Sequence, residues 1–212
     1  MKRTRILLAD DHTLLLEALQ KLLEPEFEVV GRVADGRTLL AAALDLRPDV
    51  IVIDIVMPLL NGLDALTHLK HIMPEAKLIF LTMQEDPELA AHALRMGASG
   101  YLFKRSAASA LVHAIRQALR GGKYVAPEVA SALESSFVRA PHQMAEQKRL
   151  TVRQREVLQL LAEGRTMKEV AGILHVTPRT IAFHKYRMMD ELAINSSAAL
   201  VQYAVRNHLI AS

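Results

Sequence analysis

The chain has no cysteine among its 212 residues, which excludes disulfide staples, thiolate nucleophiles and cysteine-bound metals. Long apolar runs are missing as well. The start, Met1-Lys2-Arg3-Thr4-Arg5, is basic, but the apolar run Ile6-Leu7-Leu8-Ala9 ends at two aspartates. That is too short for a signal peptide, and no later run approaches membrane-spanning length. The expectation is a soluble, cytoplasmic protein with no membrane partner. Neither sign of charge dominates overall, yet the charges are unevenly placed. Residues 1–122 carry 14 Lys+Arg against 15 Asp+Glu, whereas residues 148–212 carry 10 against 5. A small domain at net +5 points to a polyanionic partner.

What is present in quantity is apolar residue, 51% of the chain, enough for one large core or two small ones. The most telling stretch is Val50-Ile51-Val52-Ile53-Asp54-Ile55-Val56-Met57-Pro58. Its β-branched run predicts a strand buried on both faces, as in a parallel sheet. Asp54 is out of place inside such a strand. It is expected where the strand leaves the sheet, facing a polar cleft, with Pro58 barring further pairing.

Around it the pattern alternates. Strands are expected over 4–9, 27–33, 50–54, 77–81 and 100–103, and helices over 14–23, 38–46, 62–72, 86–96 and 106–120. Five strand–helix repeats in about 120 residues predict a doubly wound α/β domain. In the flavodoxin-like strand order 2-1-3-4-5, strands 1 and 3 adjoin at the switch point and sites form at their carboxyl ends. Asp10 and Asp11 then lie beside Asp54. Three crowded carboxylates repel unless a cation joins them, and an all-oxygen site with room for water suits Mg²⁺. The same order brings Thr82 and Lys104 to the cleft. A hydroxyl and an ammonium facing a metal-bound carboxylate suit a phosphoryl group, with Asp54 as the nucleophile that forms an acyl phosphate. His12 reads as an exposed first-turn residue rather than a ligand, since imidazole suits softer metals.

In this order, Asp10-Asp11, Asp54 with Met57-Pro58, Thr82 and Gly100-Tyr101-Leu102-Phe103-Lys104 resemble the receiver domain of two-component response regulators over roughly residues 4–122. The resemblance implies Asp54 as phosphoacceptor, Thr82 and Lys104 as its catalytic partners, and Tyr101 as a switch aromatic moving with Thr82. It also implies Mg²⁺ or Mn²⁺ on Asp10, Asp11, Asp54 and the backbone carbonyl of Val56.

Gly121-Gly122 closes the fifth helix, and residues 123–147 lose the rhythm. They read as a linker, helical around Val129 to Phe137. From Leu150 only short helices follow. Thr151 is expected to cap a helix ended by Gly164. Thr166 to Leu174 forms a second, turning Val170, Ala171 and Leu174 inward. His175-Val176-Thr177 is a tight turn. Thr177 caps a third helix with Pro178 at its first position, and Ile181, Met188 and Leu192 face inward. A fourth helix spans about 196–208, with Val201, Ala204 and Val205 inward and Ala199, Gln202, Tyr203 and Arg206 partly outward.

Residues 148–210 resemble the LuxR-type helix-turn-helix that ends regulators of the NarL/FixJ family. The match rests on Leu150-Thr151, Arg155-Glu156-Val157-Leu158, Gly164, Lys168-Glu169-Val170-Ala171, Leu174, Val176, Thr180-Ile181 and His184-Lys185. Val152, Gln154 and Met167 depart from the family's usual residues, which is expected to weaken local caps. The resemblance implies that the 177–191 helix enters the major groove of double-stranded DNA. Ala182, Phe183 and Tyr186 fall at its base-reading positions, and thymine methyl contacts and shape would replace hydrogen bonds at Ala182 and Phe183. Lys168, Arg179, Lys185 and Arg187 suit phosphates, with Thr180 and His184 beside them.

The fold class expected is therefore an α/β receiver of five parallel strands (1–122), a partly helical linker (123–147) and an all-α four-helix domain (148–212). The function implied is a transcriptional regulator, not an enzyme, phosphorylated by a histidine kinase and dimerising on an inverted repeat. Two other classes compete. A phosphorelay adaptor would leave the basic helices without a purpose. A phosphatase would want a general acid two residues after its nucleophile, where Val56 cannot serve.

Overall fold

Val50–Ile53 forms the strand β3 at the centre of a parallel sheet, every residue buried. The computed structural model describes residues 3–127, 129–130 and 150–210. Its sheet joins β1 (Arg5–Ala9), β2 (Glu28–Val33), β3, β4 (Lys77–Thr82), β5 (Gly100–Phe103) and β6 (Tyr124–Val125) in the order β2-β1-β3-β4-β5-β6. The period of two in each strand divides the core between the faces. Leu7, Ala9, Ile51 and Ile53 meet α2 (Gly36–Leu46), α3 (Gly62–Ile72) and α4 (Pro87–Arg95), while Ile6, Leu8, Val50 and Val52 meet α1 (Thr13–Leu23) and α5 (Ala107–Leu119). Both faces are covered, so the strands read as unbroken apolar runs.

β3 ends at Ile53, and Asp54 stands where the strand leaves the sheet, as expected: its N–H still donates to Ala9 O at 2.9 Å, and the chain then turns away. One detail departs from the sequence pattern: the sheet continues past residue 122, because Tyr124–Val125 pairs in parallel with Gly100 and Tyr101. A two-residue strand after a Gly-Gly pair has no alternation to betray it. Pro127, Val129 and Ala130 are helical; the rest of the helix expected around Val129 to Phe137 lies outside the described residues.

The second domain has four helices, α6 (Val152–Ala162), α7 (Met167–Ile173), α8 (Pro178–Glu191) and α9 (Ser197–Arg206). Thr151, Thr166, Thr177 and Ser196 cap them in turn. Gln154 does not weaken its cap as expected. Its side chain returns to the Thr151 N–H at 2.7 Å and completes a capping box, a task Gln performs as Glu does. The core gathers Val157, Leu158, Leu160, Val170, Ile181, Met188, Leu200 and Ala204. On α9, Leu200 rather than Val201 is buried, and Val201 is exposed. Ala204 is buried and Gln202 and Arg206 are exposed as expected, and Val205 is half-buried.

Asp54 is positioned by the loop that follows it. Gly62 N–H donates to Ile55 O at 2.7 Å and Gly36 N–H to Pro58 O at 3.2 Å. A Cβ at Gly62 would lie 2.2 Å from Asp54 O, and one at Gly36 2.0 Å from Leu60 O. Both positions therefore admit only glycine without moving backbone. Gly62→Ala should destabilise the receiver by about 1–3 kcal/mol through overpacking. Gly172→Ala, inside α7 with open space around it, should instead add about 0.5–1 kcal/mol. Urea unfolding of both variants checks the opposite signs.

Candidate phosphoacceptor cleft and nucleic-acid interface

The parallel registers Ala9↔Ile53, Ile53↔Phe80 and Thr82↔Phe103 level the carboxyl ends of β1, β3, β4 and β5. Asp10, Asp54 and Lys104 each stand one residue past a strand end, and Thr82 closes β4. Lys104 Nζ lies 2.7 Å from Asp54 Oδ2 and 2.8 Å from Asp10 Oδ2. The Ile55 N–H donates to Asp54 Oδ1 at 2.7 Å. Burial pushes the Asp54 carboxyl above the usual range, with Lys104 opposing and Asp10 assisting. Burial disfavours the Lys104 ammonium, but its hydrogen bonds to Asp10 and Asp54 prevail and raise its pKa. The cleft thus holds buried carboxylate charge that a further cation would relieve.

Asp10, Asp11 and Asp54 bring ligand oxygens within 4.8 Å of one another. This hard-oxygen set fits Mg²⁺. Val56 lines a cavity beside the cleft with Asp11, Met57, Pro58, Glu163 and Ile210. The His12 side chain is mostly exposed, as expected, yet its Nδ1 joins the acidic cluster. Thr82 and Tyr101 converge on one segment: Thr82 Oγ1 accepts the Gln84 N–H at 3.2 Å, and the Tyr101 hydroxyl donates to Gln84 O at 3.0 Å. Tyr101 is fully buried, and burial drives its hydroxyl pKa upward.

On α8, Arg179, Phe183, Tyr186 and Arg187 are exposed, as is Lys168 on α7, while Thr180, Ala182, His184 and Lys185 are half-buried. Phe183 and Tyr186 expose 60% and 58% of their surface, unusual for large aromatics on a basic helix. Arg187 pairs with Glu191, and Lys185 donates to Ser197 Oγ.

Sequence reasoning missed the contact between the two domains. It is made by α6 and the Glu163 that ends it against α2, α3 and the loop between β3 and α3. Arg155 Nε and Nη2 reach Asp64 Oδ1 at 2.9 and 2.5 Å. Glu156 meets His68 Nε2 at 2.8 Å and Arg37 Nη2 at 3.1 Å. The buried Gln159 amide donates to Met57 O at 2.8 Å and accepts the Asn61 N–H at 2.7 Å, and Glu163 accepts the Leu59 N–H at 2.9 Å. Leu59 itself packs against the second domain's core with φ of +66°. The only sequence signal was a row of polar residues along α6, at 156, 159 and 163, which a solvated face would also show.

Residues 6–116 match the response regulator receiver domain model, and residues 148–204 match the model of bacterial regulatory proteins of the luxR family. The oxygen regulatory protein NreC of Staphylococcus carnosus is 33% identical over 97% of this chain and 99% of its own length. The transcriptional regulatory protein DegU of Brevibacillus brevis is 30% identical over 97% and 94%. Among solved structures, RcsB of Salmonella enterica serovar Typhimurium, bound to a promoter in the presence of the phosphomimetic BeF₃⁻, superposes with a TM-score of 0.60 at 28% identity, covering 95% of this chain and 98% of its own. Among the described residues, no helix is long and apolar enough to cross a membrane.

Two changes test the interdomain contact. Gln159→Ala strips the buried Asn61 N–H and Met57 C=O of their partner, costing the closed arrangement about 1–3 kcal/mol. Small-angle scattering should then show a larger radius of gyration. Burial alone would raise the Glu156 carboxyl, but His68, Arg153 and Arg37 hold it below the usual 4.5. Its contribution is therefore complete above that value and is lost as the pH falls through the depressed one. Scattering should show acid opening in the parent, and Glu156→Gln open already at neutral pH.

Proposed function

The chain belongs to the NarL/FixJ family of two-component response regulators, and from that premise we propose a role for each part of its two domains. Such proteins are regulators rather than catalytic enzymes. Asp54 accepts a phosphoryl group from the phosphohistidine of a partner histidine kinase. A carboxylate oxygen of Asp54 bonds to phosphorus, the bond from phosphorus to the kinase imidazole breaks, and the imidazole leaves neutral after protonation. Lys104, already on Asp54, shares the charge of the incoming oxygens, and Thr82, whose oxygen accepts the Gln84 N–H, donates its own hydroxyl hydrogen to them. Asp10, Asp11, Asp54 and the Val56 carbonyl hold Mg²⁺, or Mn²⁺, which when bound neutralises the charge brought by the phosphoryl oxygens. The observation that carries this reading is the sharing of one ammonium between Asp10 and Asp54 at 2.8 and 2.7 Å.

Thr82 and Tyr101 act as the switch through Gln84, which both already hold. In the second domain, α8 enters the major groove. Phe183 and Tyr186 meet base edges with Ala182. Lys168, Arg179, Lys185 and Arg187 meet phosphates, and Thr180 and His184 flank them. Exposure of Arg179, Phe183, Tyr186 and Arg187 while α6 contacts the receiver supports that role. A homodimer through α9 gives binding to an inverted repeat, with Val201, Gln202 and Arg206 among its exposed residues. The receiver includes β6, so the linker begins after it, and the cytoplasm is the compartment such a kinase partner requires.

Asp54→Ala should abolish labelling by acetyl phosphate, and Asp11→Ala should weaken it; label retained in the Asp54 variant sinks the assignment. A gel shift with genomic fragments separates this reading from an adaptor without a DNA target. Loss of the phosphoryl group needs in-line water, and the residues flanking that approach are Val56 and Gln84. Val56→Asn should speed decay of the phosphorylated protein and Gln84→Ala slow it, each severalfold at most, since one positioned hydrogen bond contributes about 1 kcal/mol. Decay timed without kinase at fixed Mg²⁺ decides, and parent-like rates in both variants count against gating there.

A further inference from the structure

One residue beside the cleft has no part in the reading above. His12 is the N-cap of α1, with extended backbone at φ −89° and ψ 94°, but its side chain makes no capping bond. The N-cap side chains of Asp35, Asn61, Thr151 and Thr177 all turn to their own helices. His12 turns the other way, over the cleft. Its Nδ1 lies 2.7 Å from Asp11 Oδ1 and 3.1 Å from Asp10 Oδ1. With an oxygen of Asp54, these atoms fall within 4.8 Å of one another. The ring is 67% exposed, so core packing does not impose this orientation.

We propose that His12 is a nitrogen ligand beside the three carboxylates, engaged by transition-metal dications such as Mn²⁺, Co²⁺ or Zn²⁺ and left aside by Mg²⁺. This rests on reading the cleft as a divalent-cation site. Mg²⁺ is hard, keeps its waters and takes oxygen ligands. Imidazole adds affinity for transition dications, rising along the series from Mn²⁺ toward Cu²⁺. Nδ1 faces two acceptors and donates its hydrogen to them. As a ligand the ring takes the tautomer that carries its hydrogen on Nε2, which leaves the Nδ1 lone pair facing the ion. Asp10 Oδ2 and Asp54 Oδ2 stay on Lys104, so recruiting His12 does not draw on the phosphoacceptor's own partner.

Pulsed electron paramagnetic resonance of the full-length protein loaded with Mn²⁺ reads a directly bound ¹⁴N, and calorimetry gives the affinities for Co²⁺ and Mg²⁺. The expected result is nitrogen coupling in the parent, lost in His12→Ala and also in Asp11→Ala, which separates this site from the other histidines. Co²⁺ affinity should fall about tenfold or more in His12→Ala, with a far smaller change for Mg²⁺. Mg²⁺ binding without nitrogen coupling overturns the role of His12 alone. So does coupling that survives both variants, or an equal loss of Mg²⁺ and Co²⁺. Failure of the parent to bind Mg²⁺ at all overturns the reading of the cleft and this inference with it.

Discussion

Two buried carboxylates at the heads of β1 and β3 are tolerable because a single ammonium reaches both. Asp10 and Asp54 are 2% and 5% exposed, and either left unpaired would carry a desolvation cost of several kcal/mol. Lys104 meets the two at nearly equal distances. It does so only because β5 ends level with β1 and β3, and that level is fixed by registers that a one-residue slip would destroy. A slip would also turn Ile51 and Ile53 from one core to the other. Sheet packing and cleft chemistry are therefore the same constraint seen from two sides. One ammonium against Asp10, Asp11 and Asp54 still leaves net negative charge at the mouth of the cleft.

Most of this was legible because buried parallel strands and amphipathic helices write their period into sequence. Val50–Ile53 announces itself, and once the strand order is assumed, Asp10, Asp54 and Lys104 must meet, with Thr82 at the same end of the sheet. What escaped were features without a period. Tyr124–Val125 is too short to alternate. On α9, Leu200 takes the inward place expected of Val201, beside an Ala204 that is buried as expected; a pattern cannot rank two adjacent apolar residues. The capping role of Gln154 follows from a geometry that Gln and Glu share. The direction taken by His12 is a rotamer, chosen by two carboxylates and not by any neighbour's spacing.

The second domain shows the same division. Its core is small, and four helices of 7 to 14 residues are short for independent stability. Each opens on a Ser or Thr whose side chain satisfies an N–H of the first turn, and such caps add about 1 kcal/mol apiece. That lets α8 spend its outer face on side chains that do nothing for the fold, two exposed aromatics among them. Capping and inward residues were readable; the polar residues of α6 were not, because their partners lie 88 to 119 positions away.

The loop from Asp54 to Asn61 has two sets of neighbours. Its first residues carry Asp54 and Val56 at the cleft, and its last, Leu59 to Asn61, are held by Gln159, Glu163 and the second domain's core. Leu59 sits in the left-handed region, where a bulky residue is strained by roughly 1–3 kcal/mol unless its surroundings hold it there. Here the surroundings belong to the other domain. The loop is also stitched by Gly36 and Gly62 at approaches too close for any side chain, so it cannot deform gradually at one end while the other stays still. A ligand at the cleft that favours another course for this loop must break its bonds to Gln159 and Glu163. By reciprocity, separation of α6 must change the affinity of the cleft by the same factor. The coupling needs no chain of relays across the receiver, because both sites grip one eight-residue segment of backbone.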